Sequence, residues 1–276
     1  MKNRHNQKNK SRHKSKFNIK MWCIPIGVII FLIGGFMLSK SLYDYWKAAH
    51  LYKDTATHFV TLRNENDQDK KKAIVDKIVI KEKSWEDFID VDIVSLREQN
   101  EDIVGWIFFE NEDISYPVLN SGDNSKYLRR AYTGEKLQAG SIFMDGDNSR
   151  DFSDAHTLIY GHNMKDLSMF GRLRYYDEDS EYIKGHEYFQ IITEDKKYRY
   201  KIFSYKEVPG NSPIYAIHKN GDADFESFIE KNLKTGSFLD KEAIIGTDDY
   251  IVTLSTCAND DRFVVSAVRC DETSLK

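Results

Sequence analysis

Two residues able to support acyl-transfer chemistry lie at the ends of predicted neighbouring strands. The apolar runs 251–254 and 263–268 flank a short polar connection, which predicts a β-hairpin. Cys257 follows the first run and Arg262 precedes the second, so a hairpin places them nearly opposite each other. The thiolate is the nucleophilic form of cysteine, and a nearby cation favours it. A guanidinium at this position can also stabilise a developing oxyanion.

A third reactive residue, His162, follows another apolar run. Residues 157–160 predict a strand, and Gly161 ends it directly before the histidine. Histidine exchanges protons near neutral pH, so it can serve a thiol as general acid and base. A single strand-end histidine is commonly structural, and a buried strand cysteine beside a surface arginine is an alternative interpretation of the hairpin. All three groups at strand ends favour a common site at one end of a barrel or sheet.

The segments around these residues resemble class B sortases, which are membrane-anchored cysteine transpeptidases of Gram-positive bacteria. The similar segments are TLSTC at 253–257, YGHNM at 160–164, RFVV at 262–265 and VGWIFFENEDISYPVL at 104–119. The resemblance covers roughly residues 85–268. It implies that Cys257 is the nucleophile, that His162 is the general acid and base, and that Arg262 stabilises the oxyanion.

The resemblance also implies a reaction and its partners. The cysteine would cleave a C-terminal sorting signal, similar to Asn-Pro-x-Thr-x, on secreted proteins, and an amine of peptidoglycan would resolve the thioacyl-enzyme. No cofactor is implied. Ser255, two residues before the nucleophile, is a candidate for the peptide groove, although a plain strand serine is an equal alternative. Further groove candidates are Leu119, Asn120, Tyr215 and Ile217.

Several alternatives stay open from the residues alone. Arg269 is the competing arginine, but it lies seven residues beyond Arg262, roughly 23 Å along a strand at about 3.3 Å per residue. His156 lies about 20 Å from His162 by the same measure and is therefore expected to be structural. Alternative functions are a pilin-polymerising or pilus-anchoring sortase and a non-catalytic, membrane-anchored β-barrel binding protein. A papain-like peptidase is disfavoured because its cysteine precedes its histidine.

Charge is distributed unevenly along the chain. The chain has 40 Lys and Arg against 44 Asp and Glu, and the first twenty residues hold eight of the basic residues and none of the acidic ones. The acidic remainder disfavours a nucleic-acid-binding body. Three cysteines do not make a disulfide framework, and no His/Cys spacing predicts a metal site. The Asp pairs at 248–249 and 260–261 are interpreted as solvated turn charge in preference to a Ca²⁺ site.

The chain order predicts four segments. Residues 1–20 are a basic cytoplasmic tail, and residues 21–39 are an uncharged apolar stretch of membrane-spanning length. The positive-inside rule places the tail in the cytoplasm and the body outside the cell, with the apolar stretch as an uncleaved signal-anchor. Residues 40–83 are expected to be an extracellular stalk and helix, and residues 84–276 the sortase catalytic domain.

The catalytic segment is predicted to be mainly β. Eight strands are expected near 104–108, 114–118, 141–144, 157–160, 188–193, 198–205, 250–255 and 263–268. The resemblance implies that they close into an eight-stranded barrel with N-terminal helices. A helix capped by Ser84 is expected to run to Asn100, and short helices are expected at 125–131 and 168–175. A further helix at 222–234 lies in the connection before the penultimate strand.

Overall fold

The computed structural model of the chain describes residues 19–62, 84–258 and 261–275. It describes the backbone alone at residues 19–24, 26, 62, 257 and 258. The chain divides into two units, Met1–Tyr43 and Asp44–Lys276. All but the last two residues of the predicted basic tail lie outside the described part.

The second unit is dominated by β-strands, as the β-branched and aromatic runs of its sequence predict. The strands in the described residues are β1 (Val60–Leu62), β2 (Ile89–Val91), β3 (Ile103–Phe109), β4 (Ser115–Leu119), β5 (Ile142–Met144), β6 (His156–Tyr160), β7 (Tyr188–Ile192), β8 (Lys196–Val208), β9 (Phe238–Leu239), β10 (Ile251–Ala258) and β11 (Asp261–Ser274). Each of the eight predicted strands corresponds to one of these.

Eight strands close into a barrel. Their order is β11-β10-β6-β5-β4-β3-β7-β8, and β8 pairs back with β11 to complete the ring. The closing pair runs antiparallel from Arg262 opposite Val208 to Ser274 opposite Lys196, with register shifts along its length. The short strand β9 adds to β8, and β1 pairs with β2 in a separate two-stranded sheet. The predicted fold class, a closed eight-stranded barrel, is confirmed.

The helices are short apart from the first. They are α1 (Ile19–Phe59), α2 (Ile93–Gln99), α3 (Arg174–Glu178) and α4 (Phe225–Phe228), and α4 continues as a π turn, Ile229–Leu233. The helix predicted before the penultimate strand is therefore present, with its apolar face buried through Phe225, Phe228 and Leu233. The helix predicted at 168–175 starts later, as a 3₁₀ turn followed by α3, and residues 125–131 form turns.

The prediction of a helix from Ser84 to Asn100 is wrong for the first half of that segment. A 3₁₀ turn (Trp85–Asp87) and strand β2 precede α2, and the side chain of Ser84 makes no cap. The cap of α2 is Asp92, whose side chain accepts a hydrogen bond from the backbone N–H of Ser95 at 3.0 Å. Strand β2 replaces the first half because residues 89–91 pair with β1, a contact between distant segments that helical periodicity does not encode.

The last part of α1 belongs to the compact second unit. Ala48, Tyr52, Thr55 and Phe59 follow one another at helical spacing and are buried. The Tyr52 hydroxyl donates a hydrogen bond to the carbonyl of Gly140 at 2.6 Å. The compact unit thus begins before residue 84, where the sequence placed the start of the catalytic domain, and includes part of the segment assigned to a stalk.

The first unit, over its described residues, is the beginning of α1. Its apolar side chains are exposed, including Phe31 at 79% and Phe36 at 71%. Between Gly27 and Phe59 the helix contains a stretch that is long and apolar enough, by length and composition, to cross a membrane. The membrane-spanning segment predicted from the sequence is residues 21–39.

Candidate functional site

The parallel pairing of β6 with β10 determines which residues meet at one rim of the barrel. Tyr160, the last residue of β6, lies opposite Ser255 of β10. Because the two strands run in the same direction, the residues that follow each of them emerge at the same rim. His162 follows the first strand, and Cys257 lies near the end of the second.

An open cleft of about 250 Å³ lies at this rim. Three residues singled out from the sequence line it, namely His162, Ser255 and Arg262. The structure therefore brings together side chains from the loop after β6, from β10 and from the start of β11.

The hairpin places Cys257 and Arg262 directly opposite each other. Strands β10 and β11 pair antiparallel, and the register joins Cys257 to Arg262 and Ala258 to Asp261. Arg262 is partly exposed and donates a hydrogen bond to the carbonyl of Asp261 at 3.1 Å. The side chain of Cys257 lies outside the described part of the structure.

His162 is held by backbone contacts on both sides of its loop. Its Nε2 lies 2.5 Å from the carbonyl oxygen of Leu128, and because a carbonyl only accepts, Nε2–H is the donor. The carbonyl of His162 accepts from the N–H of Phe170 at 3.1 Å. A Cβ on the preceding Gly161 would lie 2.6 Å from the Phe170 ring, so only glycine lets the loop pack this closely.

The residues after His162 form a fixed turn. Arg174 donates to the side-chain oxygen of Asn163 at 2.6 Å and to the carbonyl of Met164 at 3.0 Å. Asn163 also forms an isolated bridge with Met169. These contacts give Asn163 a role in the turn.

Of the groove candidates, Ser255 and Tyr215 lie together. Ser255 is buried in the cleft wall, and its hydroxyl lies 3.0 Å from the hydroxyl of Tyr215. Tyr215 is partly exposed and packs near Tyr160, with ring centroids 6.4 Å apart. Ile217, two residues further on, is also partly exposed.

The candidates Leu119 and Asn120 are buried and do not line the cleft. Leu119 is fully buried in the barrel core at the end of β4. Asn120 is 3% exposed, and its side-chain amide donates to the carbonyl of Asp145 at 3.0 Å. Neither residue lines the cleft. Their contacts are those of core packing and of a backbone support.

His156 lies in the interior, in agreement with the structural role predicted for it. It is fully buried, with Nδ1 2.8 Å from the Ala216 carbonyl and Nε2 2.8 Å from the Thr253 hydroxyl. That hydroxyl in turn lies 2.9 Å from the Ser266 hydroxyl. Burial lowers the pKa of His156 to about 4, so the imidazole is neutral at physiological pH.

Sequence patterns missed several residues of the cleft wall. They include Asn124, Leu128, Phe143, Tyr160 and Thr256. The hydroxyl of Tyr160 donates to Asp145 at 2.8 Å, and Asn124 donates to the same carboxylate at 2.9 Å. Burial, with the hydrogen bond to Asp145, raises the pKa of Tyr160. The position of Tyr160 two residues before His162 was the one available signal, since Leu128 lies in a segment that was predicted as a short helix and forms turns.

Comparison with known proteins identifies the family of the chain. A family model described as the sortase domain matches residues 109–270. Sortase B of Listeria monocytogenes is 38% identical over 162 residues, which cover 59% of this chain and 65% of that protein. Sortase B of Staphylococcus aureus is 35% identical over 164 residues, which cover 59% of this chain and 66% of that protein. The chain thus aligns with slightly less than two thirds of the length of these relatives.

A solved structure extends the similarity beyond the sequence alignments. Sortase B from B. anthracis, solved in complex with AAEK1, superposes with a TM-score of 0.66 at 27% identity, and the match covers 83% of this chain and 98% of that one. The sortase-domain match alone covers more than half of the present chain. This protein therefore belongs to the sortase family, and within it to class B.

Proposed function

We propose that this protein is a cysteine transpeptidase that cleaves the sorting signal of secreted proteins and joins them to an amine of peptidoglycan. One observation carries the proposal beyond family membership. The backbone pairs Cys257 with Arg262, and Arg262 lines the same cleft as Ser255 and His162. A nucleophile, a proton carrier and a cation at one rim are the groups that acyl transfer through a thioester requires.

In the first half of the proposed reaction, the thiolate of Cys257 attacks the carbonyl carbon of the threonine in the signal. Arg262 faces the negative charge that develops on the carbonyl oxygen. Collapse of the tetrahedral intermediate breaks the peptide C–N bond, and the leaving amine takes its proton from His162. The product is a thioester between the cysteine and the threonine.

In the second half, an amine attacks the thioester and gives its proton to His162, and the thiolate leaves. We assign the proton transfer to Nδ1, and the hydrogen bond that Nε2–H donates to the Leu128 carbonyl supports this choice. Water can replace the amine, which gives slow hydrolysis.

The substrate is proposed to be a peptide similar to Asn-Pro-x-Thr-x in extended conformation. Support comes from Ser255 and Tyr215, which lie at 3.0 Å from each other beside the cleft and offer hydroxyl groups to a peptide backbone. The partly exposed Ile217 extends this surface. Cys257 lies two residues beyond Ser255, which is one period of a strand.

The enzyme is proposed to be anchored in the cell membrane by one helix, with its N-terminus in the cytoplasm and its catalytic unit outside. The apolar, exposed beginning of α1 has the length and composition for a span. The eight basic residues that precede it favour the cytoplasmic side for the tail.

The proposed function is tested by trapping the thioacyl-enzyme. Full-length protein in detergent is mixed with a peptide containing Asn-Pro-x-Thr-x and analysed by intact mass spectrometry. We expect an added mass equal to the peptide up to and including the threonine, which hydroxylamine removes because it cleaves thioesters. A protein that binds the peptide and never acquires this mass would be a binding protein, contrary to the proposal.

Arg262 and Arg269 provide a matched pair of variants. Arg262→Ala is expected to lower kcat/KM for the peptide by about 100-fold or more, the loss typical of removing an oxyanion donor. Arg269 is packed between aromatic rings, with its guanidinium carbon 3.9 Å from the Tyr198 ring centroid and 4.1 Å from that of Tyr250. It also donates to the Phe152 carbonyl at 2.7 Å. Arg269→Ala is therefore expected to lower the melting temperature while kcat/KM stays within about threefold.

Steady-state kinetics and thermal unfolding of both variants separate these effects. The opposite pattern, with Arg269→Ala inactive but folded and Arg262→Ala active, would show that the oxyanion role belongs to Arg269 and that the assignment to Arg262 is wrong.

A further inference from the structure

His218 is a buried histidine that the structure leaves without a hydrogen-bond partner. It is 5% exposed, and within the described residues neither Nδ1 nor Nε2 has a hydrogen-bond partner. Its ring packs against Phe228, with centroids 4.2 Å apart, and near Phe225 at 5.3 Å. Burying an imidazole nitrogen without a hydrogen-bond partner costs folding free energy, and a bound ligand would offset that cost.

Two carboxylates converge on the Nδ1 side of this ring. Asp222 Oδ2 lies 3.7 Å from Nδ1, and Asp224 Oδ1 lies 3.6 Å from it. All three candidate ligand atoms lie within 4.8 Å of one another. The separations exceed a hydrogen bond, so the carboxylates approach the nitrogen without satisfying it.

We propose that His218, Asp222 and Asp224 bind a divalent transition-metal cation, with Zn²⁺ as its representative. Ligands about 2.0–2.1 Å from a tetrahedral zinc lie about 3.4 Å apart, close to the observed nitrogen–oxygen separations. One neutral imidazole and two carboxylates neutralise the charge of the ion. The remaining position is available to water, because the side chain of Asp224 is 82% exposed.

The neighbouring cation does not occupy this space. The ammonium of Lys219 lies 2.9 Å from both carboxylate oxygens of Asp154, and only its backbone N–H donates to Asp222 Oδ2, at 2.8 Å. A carboxylate oxygen has two lone pairs, so Asp222 can accept this hydrogen bond and still bind a metal ion.

A cation here would brace the segment beside the cleft. The carbonyl of His218 accepts from the N–H of His156, and the neighbouring Ala216 carbonyl lies 2.8 Å from the His156 ring. The same segment carries Tyr215, which contacts Ser255. The metal would tie the start of α4 to this segment through side chains from both.

The test is equilibrium binding of Zn²⁺ to the full-length, EDTA-treated protein, followed by calorimetry and by thermal unfolding. Asp224→Asn changes one exposed ligand without disturbing the core. Glu226→Gln, an exposed acid on α4 outside the cluster, is its matched control. We expect Asp224→Asn to weaken one Zn²⁺ site by about 100-fold, since even loss of a supporting residue costs 10–100-fold.

Other groups in the chain can also bind Zn²⁺, and thermal unfolding of the variants distinguishes the proposed site from them. Zn²⁺ is expected to raise the melting temperature of the wild type and of Glu226→Gln, and to leave that of Asp224→Asn unchanged. The proposal is overturned if Asp224→Asn and Glu226→Gln bind Zn²⁺ with the same stoichiometry and affinity as the wild type. In that case His218 is a core histidine packed against Phe225 and Phe228.

Discussion

Replacing Cys257 with alanine is expected to abolish cleavage of a sorting-signal peptide, with kcat/KM falling by at least about 10⁴-fold. The proposed reaction passes through a thioester, so loss of the sulfur would remove both half-reactions. The residue lies near the end of β10 opposite Arg262, at the rim where the cleft opens. The change deletes one sulfur atom, so a folded variant is expected, with an unchanged circular dichroism spectrum.

Cys270 is the matched control for this variant. It is exposed near the far end of the hairpin, and its Sγ donates to the Arg199 carbonyl at 3.4 Å. Partial desolvation, with the nearby Asp271, raises the pKa of Cys270 to about 11, so this thiol stays protonated and unreactive at neutral pH. Cys270→Ala should therefore keep wild-type turnover, and iodoacetamide at pH 7 should inactivate both proteins that retain Cys257.

A fluorogenic peptide assay of the two cysteine variants decides the matter. Wild-type turnover by Cys257→Ala would remove the basis for covalent catalysis. A folded but inactive Cys270→Ala variant would identify Cys270, at the other end of the hairpin, as the nucleophile.

Replacing His162 with alanine is expected to lower kcat/KM by about 10²- to 10⁴-fold, the usual contribution of a positioned general acid and base. The residual rate comes from the thiol and from Arg262. The dependence of kcat/KM on pH should also flatten, because the imidazole that exchanges protons with the substrate is gone. A residue with a purely structural role would lower activity through unfolding and leave the shape of the pH profile unchanged.

His50 serves as the control histidine. It is exposed on α1, and its Nδ1 lies 3.0 Å from the Trp46 carbonyl, within one helical turn. His50→Ala should retain wild-type kinetics and pH dependence. Wild-type kinetics in His162→Ala, measured beside this control, would show that another group carries the proton.

The strands of this protein are readable from its sequence because strand formation follows local alternation and turn chemistry. The hairpin shows this most clearly, since the four-residue connection from Cys257 to Arg262 leads directly to the observed pairing. The two strand ends that carry His162 and Cys257 were identified in the same way. Helices were less predictable at 84–100, where pairing of β2 with the distant β1 replaced the expected helix.

The side-chain environment of the candidate site depends on contacts between distant segments. Leu128 lies in a segment that was predicted as a short helix but forms turns, and its carbonyl accepts a hydrogen bond from the imidazole of His162. Leu119 and Asn120 were groove candidates from the sequence, but the closed barrel buries both of them and neither lines the cleft. Burial on closing a barrel is set by pairing across the whole chain, which local patterns do not encode.

By itself, the sequence determined the β-rich class, the hairpin register, the apolar N-terminal segment and the three residues expected to perform the chemistry. These features depend on residue type and short-range spacing. Only the tertiary structure decided that Arg269 is held between tyrosine rings while Arg262 faces the cleft, and that His218 is buried beside two carboxylates. The reason is that a side chain's partners follow from the pairing of β8 with β11 and of β6 with β10, and these strands are far apart along the chain.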